Sequence, residues 1–120
     1  MTTLIYNQTP EFSRDVKKLS KKWRSLLEDL ETVKRNVIEL YHSQNINASS
    51  VFPITGCITN KAKAYIVKKF ACKSLKGKGS HSGIRLTYIY FTENNSVLFT
   101  ELFYKGDQEI EDRARIHKYL

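Results

Sequence analysis

IRLTYIYFTENNSVLFTELFY, residues 84–104, is the stretch that decides the fold. It contains two runs, 84–91 and 97–104, that are rich in the β-branched and aromatic residues enriched in strands. Between them lies ENNS, residues 93–96, whose residue types favour a tight hairpin turn. The stretch therefore predicts an antiparallel hairpin. A run of similar character at residues 64–71 extends this prediction to a three-stranded meander.

The first third of the chain has the periodicity of helices. Apolar residues recur in alternating steps of four and three from Phe12 to Leu40, as on one helical face. Thr9 is a suitable N-cap, and Pro10 suits the first helical position. One straight helix would be roughly 45 Å long, whereas a domain of this size has a radius of gyration of about 13–14 Å. We therefore expect a break within residues 21–25 and an antiparallel helix pair, with a coiled-coil dimer as the alternative.

The remaining segments complete an α+β order. Residues 4–6 are apolar and predict a short first strand. The polar connection at residues 45–60 is predicted to be a long loop with room for a short strand. Asp107 is a candidate N-cap for a charged C-terminal helix that ends at Leu120. The predicted organisation is a single domain over residues 1–120, with the helix pair packed on an antiparallel sheet.

The excess positive charge of the chain lies in one segment, residues 61–85. The chain has 20 Lys and Arg against 12 Asp and Glu, and eight of the basic residues occur in this segment without one acid. Lysines beside strand aromatics combine attraction for a phosphate backbone with surfaces for base stacking. The segment therefore predicts binding of a nucleic acid, RNA or DNA, with a plain solubilising surface as the alternative. The candidate nucleic-acid-binding residues are Lys68, Lys69, Lys73, Lys76, Lys78, Tyr90 and Tyr104.

Several classes of site do not fit the sequence. No apolar run approaches the roughly 18 residues of a membrane span, and no carboxylates or imidazoles have the spacing of metal ligands. The glycines of residues 77–83 lack the strand–loop–helix order of a phosphate loop. Cys57 and Cys72 are expected to be free thiols. We therefore expect a cytoplasmic protein without metal, cofactor or membrane partner.

Arg85 and Lys105 are predicted to be neighbours. Arg85 opens one strand of the hairpin and Lys105 follows the end of the other, and antiparallel pairing brings these two ends together. Two like charges at one rim of a sheet are costly unless an anion lies between them. The alternative is that Arg85 pairs with Glu101 on the neighbouring strand. This rim is therefore the predicted anion site.

Three segments taken in order resemble the RelE/ParE superfamily of type II toxin–antitoxin toxins, and most of all its HigB-like branch. They are FSRDVKKL at residues 12–19, KGKG at 76–79 leading into SGIRLTY at 82–88, and LFYKGD at 102–107. The resemblance covers nearly the whole chain, and its specificity lies in the order of the three segments. It implies a helical hairpin packed on a small twisted antiparallel sheet that the first strand joins, followed by a C-terminal helix.

The resemblance also implies an activity. Such toxins typically cleave mRNA in the ribosomal A site without metal, through the 2′-hydroxyl of the RNA itself, and a cognate antitoxin protein neutralises them. Arg85 and Lys105 match the family's basic residues expected at the scissile phosphate. His81, His117 and Tyr88 are the candidate acid or base residues. The alternatives are a ParE-like inhibitor of DNA gyrase and an RNA-binding relic without catalysis.

Overall fold

A five-stranded sheet forms the centre of the protein in the computed structural model, which describes residues 4–47, 49–79 and 81–120. The strand order is β1-β5-β4-β3-β2. The strands are β1 (Ile5–Gln8), β2 (Val51–Ile58), β3 (Ala62–Val67), β4 (Ile84–Phe91) and β5 (Ser96–Tyr104). β2 to β5 form an antiparallel meander, which confirms the predicted hairpin and the α+β class.

The sheet differs from the predicted one at both edges. β1 pairs parallel with β5, so the sheet is mixed rather than antiparallel. β2 occupies much of the segment expected to be a loop, and its register with β3 shifts between Pro53 and Ile58. This irregularity hides the two-residue alternation by which a strand is recognised. β3 ends at Val67, before the predicted 64–71 run does, although the Lys68 amide still donates to the Ser50 carbonyl, 2.9 Å away, in register with β2.

Four α-helical segments accompany the sheet: α1 (Pro10–Lys22), α2 (Leu26–Val33), α3 (Glu39–Gln44) and α4 (Arg113–Tyr119), with a π-helical turn, Lys34–Ile38, joining α2 to α3. Thr9 caps α1 as predicted, since its hydroxyl accepts from the Phe12 amide at 3.1 Å. The predicted helix break is confirmed, and Trp23 has extended backbone there. Within the described ranges, none of the helices has the length and apolar character needed to span a bilayer.

The predicted cap of the last helix is wrong. The Asp112 carboxylate, not that of Asp107, caps α4 by accepting from the Arg115 amide at 3.2 Å. Residues 106–112 instead form a non-helical connection, hereafter the β5–α4 connection. The buried Glu101 carboxylate holds it by accepting from the Asp112 amide at 2.8 Å and from the Gln108 side chain at 2.7 Å. The helix is therefore shorter than predicted, and a fixed polar segment precedes it.

The two faces of the sheet have separate cores. On one face the N-terminal helices cover an aromatic cluster that includes Phe12, Tyr88 and Phe99. His42 of α3 joins this cluster, with its Nε2 2.8 Å from the Tyr88 hydroxyl, and burial lowers the pKa of His42 to about 4. The apolar stripe of the helices thus packs on the sheet and is not left for a coiled coil. On the other face Ile116 of α4 covers only part of the sheet.

Candidate functional site

Three basic side chains from three adjacent strands meet at the rim that α4 leaves open. The β3–β4 register pairs Val67 with Leu86, so its next position places Lys68 across from Arg85. Arg85 pairs with Phe103 of β5, and Lys105 lies two residues further along. The Lys105 amide donates to the Gly83 carbonyl at 2.8 Å, which extends the β4–β5 ladder to this point. Sheet geometry therefore makes Arg85 the central member of the group, with Lys105 as its diagonal neighbour, as predicted.

These side chains line a cleft of about 170 Å³, hereafter the basic cleft. Its floor is apolar and consists of Ile66 and Phe103. Its third side is the β5–α4 connection, which contributes Glu109, Ile110 and Glu111. At roughly 30 Å³ for each water molecule, the cleft holds about six waters. It is therefore a cleft for a phosphate group and its immediate neighbours rather than for a large cofactor.

The basic groups of the cleft are not neutralised by direct pairing. Among residues 4–47, 49–79 and 81–120, the side chains of Arg85 and Lys105 make no hydrogen bond or ion pair. The alternative pairing of Arg85 with Glu101 is wrong, because Glu101 lies opposite Thr87 and binds the β5–α4 connection. Unpaired like charges held on adjacent strands favour an anion between them.

Phe52 lies beside the basic cleft, although the sequence reasoning did not select it. Its β2 position pairs with Ile66, so both side chains occupy the cleft face of the sheet. The ring is 38% exposed, and the Lys68 ammonium lies 5.1 Å from its centre. An exposed ring next to cationic groups is suited to stacking on a nucleobase. The adjacent β-branched and aromatic residues Val51 and Phe52 favour a strand, and this is the sequence signal that would have identified Phe52.

The selected tyrosines lie on the other face of the sheet. Side chains alternate along a strand, so Arg85 and Tyr88 point to opposite faces. Tyr88 is completely buried, and burial raises its pKa. The Tyr90 ring stacks on His42 at 4.1 Å, and the Tyr104 ring meets Trp23 edge-on at 4.9 Å. Tyr88, Tyr90 and Tyr104, which the sequence suggested as site residues, therefore do not line the cleft at Arg85.

Neither selected histidine lines the basic cleft. His117 lies on α4, and its Nε2 is 3.6 Å from the thiol sulfur of Cys57. His81 is exposed in the loop before β4, where its backbone bridges to Phe70. Both cysteines are buried free thiols, as expected. The groups able to exchange protons inside the cleft are thus its lysines and the two glutamates of the β5–α4 connection.

The other selected lysines lie outside the cleft lining. Lys73 forms an ion pair with Glu28 of α2 and is thereby directed toward the helices. Lys69, Lys76 and Lys78 are exposed and, in the part of the chain that the structure describes, make no ion pair. They form a basic surface that continues from β3 into the loop before β4.

A larger cleft of about 500 Å³ lies at the opposite end of the sheet. Phe91, Ala62 and Leu120 give it apolar walls. Its one basic residue, Lys61, pairs with Glu93 at 3.3 Å. This cleft is the larger of the two. However, the Lys61–Glu93 ion pair neutralises its basic residue, so it has no net positive charge to attract an anion. The smaller basic cleft is therefore the candidate site.

Comparison with solved structures gives a relative in fold. The crystal structure of the archaeal RelE–RelB complex from Pyrococcus horikoshii OT3 contains a chain that is 13% identical to this protein, with a TM-score of 0.50. The two chains share one fold. The match covers 88% of this chain and 98% of that one. No family model and no curated protein matches the sequence. At 13% identity the likeness concerns the arrangement of helices and strands alone.

Proposed function

We propose that the protein is the toxin of a bacterial toxin–antitoxin module and a metal-independent endoribonuclease that cleaves mRNA, in the manner of HigB-like toxins. The observation that carries the proposal is the basic cleft, where Lys68, Arg85 and Lys105 converge and, among the described residues, form no ion pair with an acid. The fold shared with a chain of the RelE–RelB complex supports it. The cognate antitoxin, the mRNA and the ribosome are its proposed partners.

The cleft suits a reaction in which RNA supplies its own nucleophile. The 2′-hydroxyl lies next to the scissile phosphate, so catalysis requires in-line alignment, worth up to about 7–11 kcal/mol in favourable intramolecular cases. It also requires cations at the phosphorane, where negative charge develops. The Arg85 guanidinium can bind two phosphate oxygens at once and so fix this geometry. DNA lacks the 2′-hydroxyl and is not a substrate.

The surroundings of the cleft provide RNA contacts of two kinds. Lys69, Lys76 and Lys78 bind neighbouring phosphates through their exposed ammonium groups. Phe52 takes the stacking role that the sequence suggested for tyrosines, because its ring is exposed on the cleft face. The scissile phosphate then lies at Arg85 while an adjacent base lies on Phe52.

Substitution of Phe52 by alanine is expected to weaken binding of single-stranded RNA. Loss of one stacked base costs about 1–3 kcal/mol, which corresponds to roughly 5- to 150-fold in the dissociation constant. The measurement is fluorescence anisotropy with an RNA that carries 2′-deoxy at the cleaved position. Phe52→Trp should retain binding, since it keeps the aromatic face. Equal affinities of Phe52→Ala and the unaltered protein would remove Phe52 from the RNA path.

Expression of the chain without an antitoxin tests the proposed function as a whole. We expect growth arrest together with new 5′ ends inside cellular mRNAs, detected by primer extension. Intact transcripts in arrested cells would contradict the nuclease. Intact mRNA together with a DNA-damage response would point to the gyrase inhibitor. RNA binding without cleavage or arrest would indicate a catalytically inactive relic.

A further inference from the structure

We propose, on the basis of the function above, that Glu109 is the general base that takes the proton of the attacking 2′-hydroxyl. The basic cleft supplies cations for the phosphate, but attack also requires a proton acceptor within reach of the ribose. His81, His117 and Tyr88 lie elsewhere. The carboxylates of Glu109 and Glu111 are the acceptors that line this cleft in the described residues.

The hydrogen bonds of the two glutamates favour Glu109. Glu111 is 14% exposed at its side chain and accepts from the Arg113 Nε at 3.1 Å, so one of its oxygens is already engaged. Glu109 is exposed and, in the described ranges, has no hydrogen bond or ion pair at its carboxylate. A base must have a free oxygen to accept the proton, and in the described ranges both carboxylate oxygens of Glu109 are free.

The backbone around Glu109 is held in place by its neighbours. The Gln108 side chain donates both to the buried Glu101 carboxylate, at 2.7 Å, and to the Ile110 carbonyl, at 2.8 Å. The Gln108 amide also donates to the Tyr104 carbonyl at 3.0 Å. These bonds lie on either side of Glu109 and tie it to the end of β5. Such support from neighbouring hydrogen bonds is what a catalytic group on a loop requires.

The proposed step transfers one proton and exchanges one bond at phosphorus. The 2′-hydroxyl gives its proton to the Glu109 carboxylate as its oxygen forms the new bond to phosphorus. The bond from phosphorus to the 5′ oxygen breaks, and that oxygen takes a proton from a water molecule. The resulting hydroxide is neutralised by the proton on Glu109, which restores the carboxylate. The products are a 2′,3′-cyclic phosphate and a 5′-hydroxyl end.

Glu109→Gln tests this role, since it removes the acceptor while keeping the size of the side chain. General-base catalysis contributes at least about 100-fold, so we expect a loss of that order in the single-turnover cleavage rate. Binding of the 2′-deoxy RNA should be unchanged or tighter, because a negative charge has been removed. Glu93→Gln, at the far end of the sheet, is the matched control. An unchanged cleavage rate in Glu109→Gln would overturn the assignment.

Chemical rescue separates a base from a residue that only shapes the cleft. The groups that face Glu109 are Lys68, Arg85 and Lys105 on the strands and Glu111 on its own connection. Added acetate should restore cleavage by Glu109→Ala, because it supplies a carboxylate in place of the one removed. Absence of rescue by acetate would overturn the role.

The outcome also distinguishes this inference from the proposed function. If the unaltered protein cleaves RNA and Arg85→Ala does not, but Glu109→Gln retains the full rate, the base lies elsewhere and the nuclease stands. If Glu109→Gln cleaves faster, the carboxylate opposes phosphate binding, and the proposal is wrong. If the unaltered protein cleaves neither free nor ribosome-bound RNA, both proposals fall together.

Discussion

Arg85→Ala is expected to lower the rate of RNA cleavage about 1,000-fold, the upper end of the loss seen when one donor to a developing anion is removed. Arg85 lies between Lys68 and Lys105 in the strand order, so its guanidinium is central in the cleft. Its removal leaves two lysines, which attract phosphate but do not hold it in a two-point geometry. Alignment for in-line attack is therefore lost together with charge.

Arg85→Lys separates these two contributions. A lysine restores the positive charge but not the paired donors, so cleavage should recover only in part while RNA affinity recovers more fully. Arg35→Ala is the matched control, because Arg35 is exposed on the π-helical turn, outside the cleft lining. Single-turnover cleavage and RNA affinity are measured for all three variants.

The fold should survive loss of Arg85, because its side chain has no bonding partner in the described part of the chain. Circular dichroism and urea unfolding check this directly. A folded Arg85→Ala protein that cleaves at the original rate would mean that the basic cleft is not the site of reaction. Cleavage would then have to be sought along the lysines at residues 69–78.

The sequence predicted structural features that are determined by residues close to one another along the chain. The cap at Thr9 and the hairpin after β4 follow from residue types within a few positions. The helix break at Trp23 follows instead from the length of the helical run, which is too great for a domain of this size. The sequence predicted at most a short strand where the eight-residue β2 lies, because the register shift disrupts the alternation of apolar residues. Asp107 follows the strand and has the residue type of a cap, but the Glu101 carboxylate holds this segment in a non-helical path.

The sequence predicted which site residues lie side by side across the hairpin. It did not predict which face of the sheet carries the cleft. Antiparallel pairing alone brings Lys105 to Arg85. Which face carries the cleft depends on where the helices pack, and Tyr88, a candidate site residue from the sequence, lies on the face that the helices cover. Glu109 also lies in a segment whose path is set by the hydrogen bonds that the buried Glu101 carboxylate accepts. The charge pattern of the sequence thus identified the rim of the sheet. The residues that complete the cleft could be identified only from the packing in three dimensions.

Phe99→Ala is expected to destabilise the protein by about 3–5 kcal/mol, as for other large aromatic truncations in cores. The ring is 1% exposed and lies 5.1 Å from the Phe12 ring and 5.8 Å from the Tyr6 ring. It also meets Tyr88 edge-on at 6.4 Å. Phe99 therefore joins β1, α1 and β4 to its own strand. Substitution by alanine leaves a cavity, which could close only if β1, α1 and β4 all moved inward.

Urea unfolding measures this loss. With a slope of about 1–3 kcal/mol per molar urea, the midpoint should fall by roughly 2 M. Phe52→Ala is the matched control, because it deletes the same atoms from a ring that is 38% exposed. Surface substitutions usually change stability by about 0.5 kcal/mol or less. Similar midpoints for the two variants would mean that the aromatic cluster under the helices does not hold the sheet and helices together.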